Sequence, residues 1–237
     1  MPVLASLSHS LLHLYVMRTD LNDATLRSRL VISDHERENS DRGVTHDDRQ
    51  RRRVRFALRR QLLAHYLGVP RELVAITYDE LGKPHVPGTL RFNTSYCADT
   101  MVLALGVGRE IGVDVENLGG FLTGRFVSRH LSPDQMRSLA SLDDARARLA
   151  AARTWTRKEA VLKAIGTGLL REPRDIDVPT AEAIQQWCGK VADDERTWCV
   201  TDVAVIDPTT ILTLAYERDV TAVRIEVLNA TYQPELQ

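Results

Sequence analysis

Apolar positions along the chain alternate between two rhythms. Leu11 to Met17 is a nearly continuous apolar run of strand length. A stretch rich in Asp, Arg and His follows from Asp34 to Arg53, and its lack of apolar period predicts loop and the start of a helix. From Phe56 to Leu67 the apolar residues Phe56, Leu58, Leu62, Leu63, Tyr66 and Leu67 recur at helical spacing, and Gly68 and Pro70 stop that helix. Short strand-like runs come next, at Leu73–Tyr78, Leu90–Ser95, Met101–Gly106 and Gly112–Val115. Cys97 to Thr100 reads as the turn between the second and third of these. The order then repeats. Asp143 to Ile165 predicts a long helix, interrupted near Arg153 and ended by Gly166 and Gly168, and strands follow at Thr197–Val205, Ile211–Tyr216 and Ala222–Val227.

Each half thus reads as one long helix with a small antiparallel sheet. The fold expected is α+β, a pseudo-two-fold duplication with halves at 1–112 and 113–237. A chain that supplies both halves itself is expected to work as a monomer.

Composition narrows the function classes. The hydrophobic fraction of 43% supports a core, and a net charge of −1 gives no overall field toward nucleic acid or membrane. The apolar stretch from Leu4 to Val16 carries His9 and His13 and lacks a basic flank, so it reads as a buried first strand. No run is long enough to span a membrane. The three cysteines, Cys97, Cys188 and Cys199, have no motif spacing, which predicts neither a disulfide framework nor a zinc site and fits a reducing cytoplasm.

Two segments carry candidate chemistry. In Gly112-Val113-Asp114-Val115-Glu116 the strand period puts Asp114 and Glu116 on one face and the valines on the other. Two carboxylates roughly 7 Å apart along a strand repel by about 2 kcal/mol at an effective dielectric of about 20. A hard divalent cation such as magnesium, which takes one or two carboxylates with phosphates and water, reverses that cost. The same spacing also suits two acids on a solvated strand face. In the helix, Trp155, Glu159 and Lys163 share one face at i, i+4 and i+8. That pattern suits a metal-binding carboxylate beside a phosphate-binding ammonium, and equally an ordinary ion pair. Gly166-Thr167-Gly168 is either a plain helix cap or a loop that lets a ligand approach closely.

Taken together, these segments resemble the larger, surfactin-synthetase-activating type of 4′-phosphopantetheinyl transferase. That family carries a Gly-(Ile/Val)-Asp-(Ile/Val)-Glu strand and, some way on, a Trp-x-x-Lys-Glu-x-x-x-Lys-x-x-Gly-x-Gly-Leu helix. Here they stand at Gly112–Glu116 and Trp155–Leu169. Leu81-Gly82-Lys83-Pro84 resembles the family's Tyr-Gly-Lys-Pro turn, and Phe92-Asn93-Thr94-Ser95-Tyr96-Cys97 its Phe-Asn-x-Ser-His-Ser segment.

The resemblance implies a coenzyme A site at Lys83, Pro84, Ser95, Tyr96 and Lys163, with Arg51 and Arg53 from the preceding helix. Tyr96 departs from the family's histidine and brings a hydrogen-bonding group without a charge. Glu36 and Asn39 stand where the family has basic residues, with Arg37 nearby to substitute. The arginine run Arg51, Arg52, Arg53, Arg55, Arg59 and Arg60 also reads as a solvated helix face, or as a patch for an acidic partner.

The implied reaction is magnesium-dependent transfer of 4′-phosphopantetheine from coenzyme A to a serine of an apo acyl or peptidyl carrier protein, releasing 3′,5′-ADP. Asp114, Glu116 and Glu159 are the implied metal ligands, and Glu159, Lys163 and Lys158 the implied catalytic groups. The proton acceptor stays open among Glu159, a metal-bound water and Lys158. The Phe121–Leu131 segment offers either core or a docking surface for the carrier. The competing readings are a non-catalytic homologue that binds coenzyme A or a carrier, and a phosphohydrolase built on the same acids.

Overall fold

A computed structural model describes residues 7–20, 27–119, 125–180, 186–191, 194–204, 209–218 and 224–230. The chain is layered helix, sheet, sheet, helix. In the first half, β1 (Leu11–Arg18) is followed by α1 (Asp34–Asp41), α2 (His46–Leu67), the two-residue strands β2 (Thr77–Tyr78) and β3 (Pro84–His85), and the hairpin of β4 (Leu90–Cys97) and β5 (Thr100–Val107). The second half starts at β6 (Ile111–Asn117). It continues through α3 (Arg125–His130), α4 (Pro133–Ala140) and α5 (Asp144–Ile165) to β7 (Trp187–Lys190), β8 (Thr197–Asp202), β9 (Thr210–Glu217) and β10 (Arg224–Ala230).

The sheets run β10-β1-β5-β4 and β6-β9-β8-β7. The order β1-β5-β4 recurs as β6-β9-β8, and each half inserts a 22-residue helix between its first strand and its hairpin. This is the expected mixed architecture of small, mostly antiparallel sheets. One strand departs from it. β10 returns to the first sheet and pairs parallel with β1, Leu14 opposite Val227.

Strand alternation explains the layers. Met17, Met101, Leu103, Leu105 and Phe92 face α2, packing on Val54, Leu58, Leu62 and Tyr66. Leu12, Leu14, Val102 and Ala104 face the other way, onto Ile111, Val113, Val115, Leu212 and Leu214 of the second sheet. β1 and β5 are therefore buried on both faces, which is why they read as continuous apolar runs. On its outer face the second sheet presents Trp198, Val200 and Ala215 to Ala160, Val161 and Ala164 of α5.

Several local expectations change. The charged stretch after residue 33 holds the expected helix start at His46 but less loop than expected, because residues 34–41 form α1, held by a capping box between Ser33 and Glu36. Glu36 is buried because its carboxylate accepts from Arg59 at 2.8 Å and Arg60 at 3.0 Å, so part of the arginine run is interior. Burial pushes the Glu36 carboxyl up, but Arg59, the Ser33 amide and Arg60 outweigh it and hold it low. α2 begins ten residues before the apolar period, capped by Thr45. Residues 71–73 form a 3-10 turn rather than the start of a strand. α5 is unbroken at Arg153.

Cys188 and Cys199 sit directly opposite each other on β7 and β8 and form a disulfide, correcting the expectation of none. Cys97 is free. Among the described residues no helix is long and apolar enough to cross a membrane.

Candidate active site

The site is built where β6 lies against α5. A β-carbon at Gly112 would fall 2.0 Å from the Ala160 carbonyl oxygen and 2.4 Å from the Ala164 nitrogen. Only glycine lets the strand rest directly on the helix backbone, and the fully buried alanines at 160 and 164 leave room for it. Val113 and Val115 go into the core between the sheets. The opposite face aims Asp114 and Glu116 at α5, as the strand period requires.

The outer edge of β6 meets β4 without a backbone ladder. Side chains of β4 satisfy it instead: Val113 N–H donates to Asn93 Oδ1 at 2.9 Å and Val115 N–H to Ser95 Oγ at 3.4 Å. Ser95 in turn donates to Asp114 Oδ1 at 2.9 Å and accepts from Lys163 Nζ at 2.9 Å. Its single proton and both lone pairs are thus used. Lys163 Nζ also lies 2.6 Å from Asp114 Oδ1. Asp114 is only 4% exposed, yet its second oxygen, Oδ2, has no hydrogen-bond partner among the described residues.

The two glutamates complete the cluster. Burial raises Glu159 to about 7; Lys163 opposes the shift, while Asp114 and Glu116 add to it. Burial and then the Asp114 charge also raise Glu116, against a hydrogen bond from the Trp155 side chain. Trp155 does more than anchor its helix in the core. Its indole favours the ionised form of Glu116, and its ring is fixed edge-on by Phe126 at 4.7 Å and His130 at 5.0 Å. The Cys97 thiol lies 4.0 Å from Glu116 Oε2, and burial and that carboxylate push its pKa up.

Three carboxyl groups therefore feel one another in a half-buried space, with one buried oxygen unpartnered. That oxygen-only donor set fits a hard divalent cation. Among the described residues, however, no three acidic, histidine or cysteine side chains lie close enough together to hold an ion as they stand. Lys163 supplies the positive charge at Asp114.

The other sequence candidates lie elsewhere or are already engaged. Lys158 is fully buried and donates to the carbonyls of Pro173 at 2.7 Å and Ile176 at 2.6 Å, so it ties the segment after α5 to the helix and does not join the acids. Burial lowers its pKa to about 8. Arg53 donates to Asp41 at 2.7 Å. Arg51 Nε is 2.8 Å from Asp99 Oδ1 but off the hydrogen-bonding line, a charge contact. Pro84 pairs with Tyr78 in the small β2–β3 ladder. Lys83 Nζ lies 2.5 Å from Glu110 Oε2 and 2.7 Å from the Ala164 carbonyl. Tyr96 is 52% exposed, and the Arg55 guanidinium stacks 3.8 Å over its ring.

Sequence reasoning missed Arg55 as the partner of Tyr96, Glu110 as the partner of Lys83, and the edge role of Asn93. The first two are contacts between segments far apart in the chain and leave no local signal. The docking candidate from Phe121 to Leu131 lies outside the described residues over its first four positions. A shallow hollow of about 370 Å³, lined by Asp134, Gln135, Asp177, Val178, Pro179 and Trp187 among others, shares no residue with the cluster.

Comparison with known proteins gives the family. The 4′-phosphopantetheinyl transferase superfamily matches residues 110–211, the span from Glu110 through the acidic strand and α5 to Ile211. The chain is 30% identical over 208 residues to the 4′-phosphopantetheinyl transferase HetI of Nostoc sp., covering 81% of this chain and 86% of that protein. It is 27% identical over 168 residues to the L-aminoadipate-semialdehyde dehydrogenase-phosphopantetheinyl transferase of Xenopus laevis, covering 62% of this chain and 55% of that one. The class that these matches define is a transferase. The chain is a member of the 4′-phosphopantetheinyl transferase superfamily.

Proposed function

We propose that this protein transfers the 4′-phosphopantetheine arm of coenzyme A to a serine of an apo acyl or peptidyl carrier protein and releases 3′,5′-ADP, as a monomer of the larger, surfactin-synthetase-activating type. The observation that carries the reading is the convergence of Asp114, Ser95 and Lys163 within hydrogen-bonding distance beside the raised carboxyl of Glu159.

Asp114, Glu116 and Glu159 are the residues that would hold Mg²⁺, which when bound neutralises diphosphate charge. The unpartnered Asp114 Oδ2 and the mutual repulsion of the three acids support that assignment. Lys163 is partly exposed, with 27% of its side chain accessible, so its ammonium can turn to the diphosphate as a point charge and stabilise the departing 3′,5′-ADP. The carrier serine oxygen attacks the β-phosphorus, the bond from that phosphorus to the ADP oxygen breaks, and the serine proton passes to a base. Glu159, with a proton affinity near neutrality, is the member of the cluster best matched to that task. Ligating a cation lowers a carboxyl pKa, so its two roles compete. Little covalent chemistry is asked of the protein; positioning and charge dominate.

The test is direct. The purified chain is mixed with coenzyme A and a panel of apo carrier proteins from fatty-acid, polyketide, nonribosomal-peptide and lysine pathways, with Mg²⁺ or with a chelator. At least one carrier gains the mass of one phosphopantetheine arm, and only with the cation. Coenzyme A binding without transfer to any carrier would favour the non-catalytic reading, and release of a free product without labelling would favour a hydrolase.

A further inference from the structure

We infer that Lys83 is a positioning residue, a clamp that sets the two acid-bearing elements against each other, rather than a ligand of the substrate phosphates. Its side chain is 8% exposed, and its ammonium is already shared between two protein acceptors. One is Glu110 Oε2, at 2.5 Å on the residue that leads into β6. The other is the carbonyl of Ala164, at 2.7 Å in the last turn of α5. β6 carries Asp114 and Glu116; α5 carries Glu159 and Lys163. A single ammonium on a turn of the first half thus touches both elements whose register defines the site.

The surroundings are built for this contact. The last carbonyls of a helix lack partners within it, and a cation there also meets the negative end of the helix dipole. Glu110 is braced on its second oxygen by Arg91 Nε at 3.1 Å. Burial alone pushes the Glu110 carboxyl up, but the hydrogen bond and charge of Lys83, with Arg91, hold it low and ionised. The chain turns away at once at Gly166, whose φ of 92° is the left-handed cap of α5. A β-carbon there would come 3.2 Å from Lys83 Cδ, so the cap glycine also makes room for the lysine stem.

The kinetic part of the test rests on the transferase reading; the exchange part does not. Amide hydrogen exchange of residues 162–166 is measured without ligand in wild type, Lys83→Met, Glu110→Gln and Lys83→Arg. Exchange should quicken several-fold in Lys83→Met and Glu110→Gln, and Lys83→Arg should restore part of the protection. Unchanged exchange in both would overturn the clamp whatever the activity. In transfer assays, Lys83→Met and Glu110→Gln should each lower kcat by about tenfold or more while KM for coenzyme A stays within about threefold, and the double variant should be no worse than either alone. A rise of about tenfold in KM for coenzyme A at constant kcat, in Lys83→Met but not in Glu110→Gln, would make Lys83 a phosphate ligand and overturn the proposal. A wild-type chain that labels no carrier would sink the transferase reading, and the exchange result would still decide the clamp.

Discussion

Lys163 Nζ and Asp114 Oδ1 lie 2.6 Å apart, a contact between the last turns of α5 and the middle of β6. Asp114 leaves its other oxygen buried and, among the described residues, unpartnered. An aspartate so placed is committed on one side to the lysine and open on the other. Asp114→Asn keeps the shape and removes the charge. On the proposed metal assignment it should leave the circular dichroism spectrum intact, show no rise in Tm on addition of Mg²⁺ where wild type shows one, and lower transfer by about a hundredfold or more. Transfer near the wild-type rate in Asp114→Asn would remove this residue from the site.

Glu159 gives the pH dependence. Its pKa rises from the ordinary 4.5 to about 7 in the folded chain, chiefly through burial. Between those values the folded state binds more protons than the unfolded state. Glu159 therefore contributes stability that is fully present below pH 4.5 and lost as pH rises through 7. The effect is about 3 kcal/mol at most. Glu159→Gln removes the titration. Without cation, the variant should match wild type near pH 5 and exceed it in denaturant midpoint near pH 8. A variant no more stable than wild type at the higher pH would show that Glu159 is solvated rather than buried among acids.

Part of this was legible from sequence because it is periodic. The two-residue period placed Asp114 and Glu116 opposite Val113 and Val115, and the four-residue spacing put Glu159 and Lys163 on one face. What was not legible depends on contacts between distant segments. Glu36 and Arg59 are 23 residues apart, so a basic helix face gave no hint that Arg59 and Arg60 turn inward to one buried acid. The Cys188–Cys199 disulfide follows from the register of β7 on β8, which no spacing motif encodes. The interior destination of Lys158 is set by the carbonyls of Pro173 and Ile176, on a segment with no periodic signature. β10 returns to β1 because that edge of the first sheet still offers backbone groups, a fact of topology rather than composition.

Gly112 is the residue on which the approach of strand and helix depends. A methyl group there would overlap backbone atoms of Ala160 and Ala164, which cannot rotate aside. Gly112→Ala should lift β6 from α5 and cost about 1–3 kcal/mol or more, read as a lower urea midpoint. The loss of transfer should exceed what the unfolded fraction explains, because Asp114 and Lys163 separate. Alanine accepted here without change in stability or rate would show that the two elements do not meet as described.

Tyr96 carries the last prediction. It stands where the resemblance leads one to expect histidine, and a neutral phenol cannot supply that residue's charge. Arg55 reaches across from α2 to stack on its ring at 3.8 Å, while its Nη2 donates to the Ala98 carbonyl at 2.8 Å. Ala98 itself has a φ of 49°, so the β4–β5 turn holds a non-glycine residue in the left-handed region just where the guanidinium docks. A cation stacked on an aromatic face contributes about 0.5–1 kcal/mol at a partly exposed site, and here it also restores positive charge beside the ring. Tyr96→His should therefore bind coenzyme A as tightly as wild type or more tightly by calorimetry. Arg55→Gln should weaken binding by about tenfold in the Tyr96 background, and less in Tyr96→His, where the histidine again shares the load. A large loss of affinity in Tyr96→His alone would assign the role to the tyrosine ring itself rather than to the charge that Arg55 brings to it.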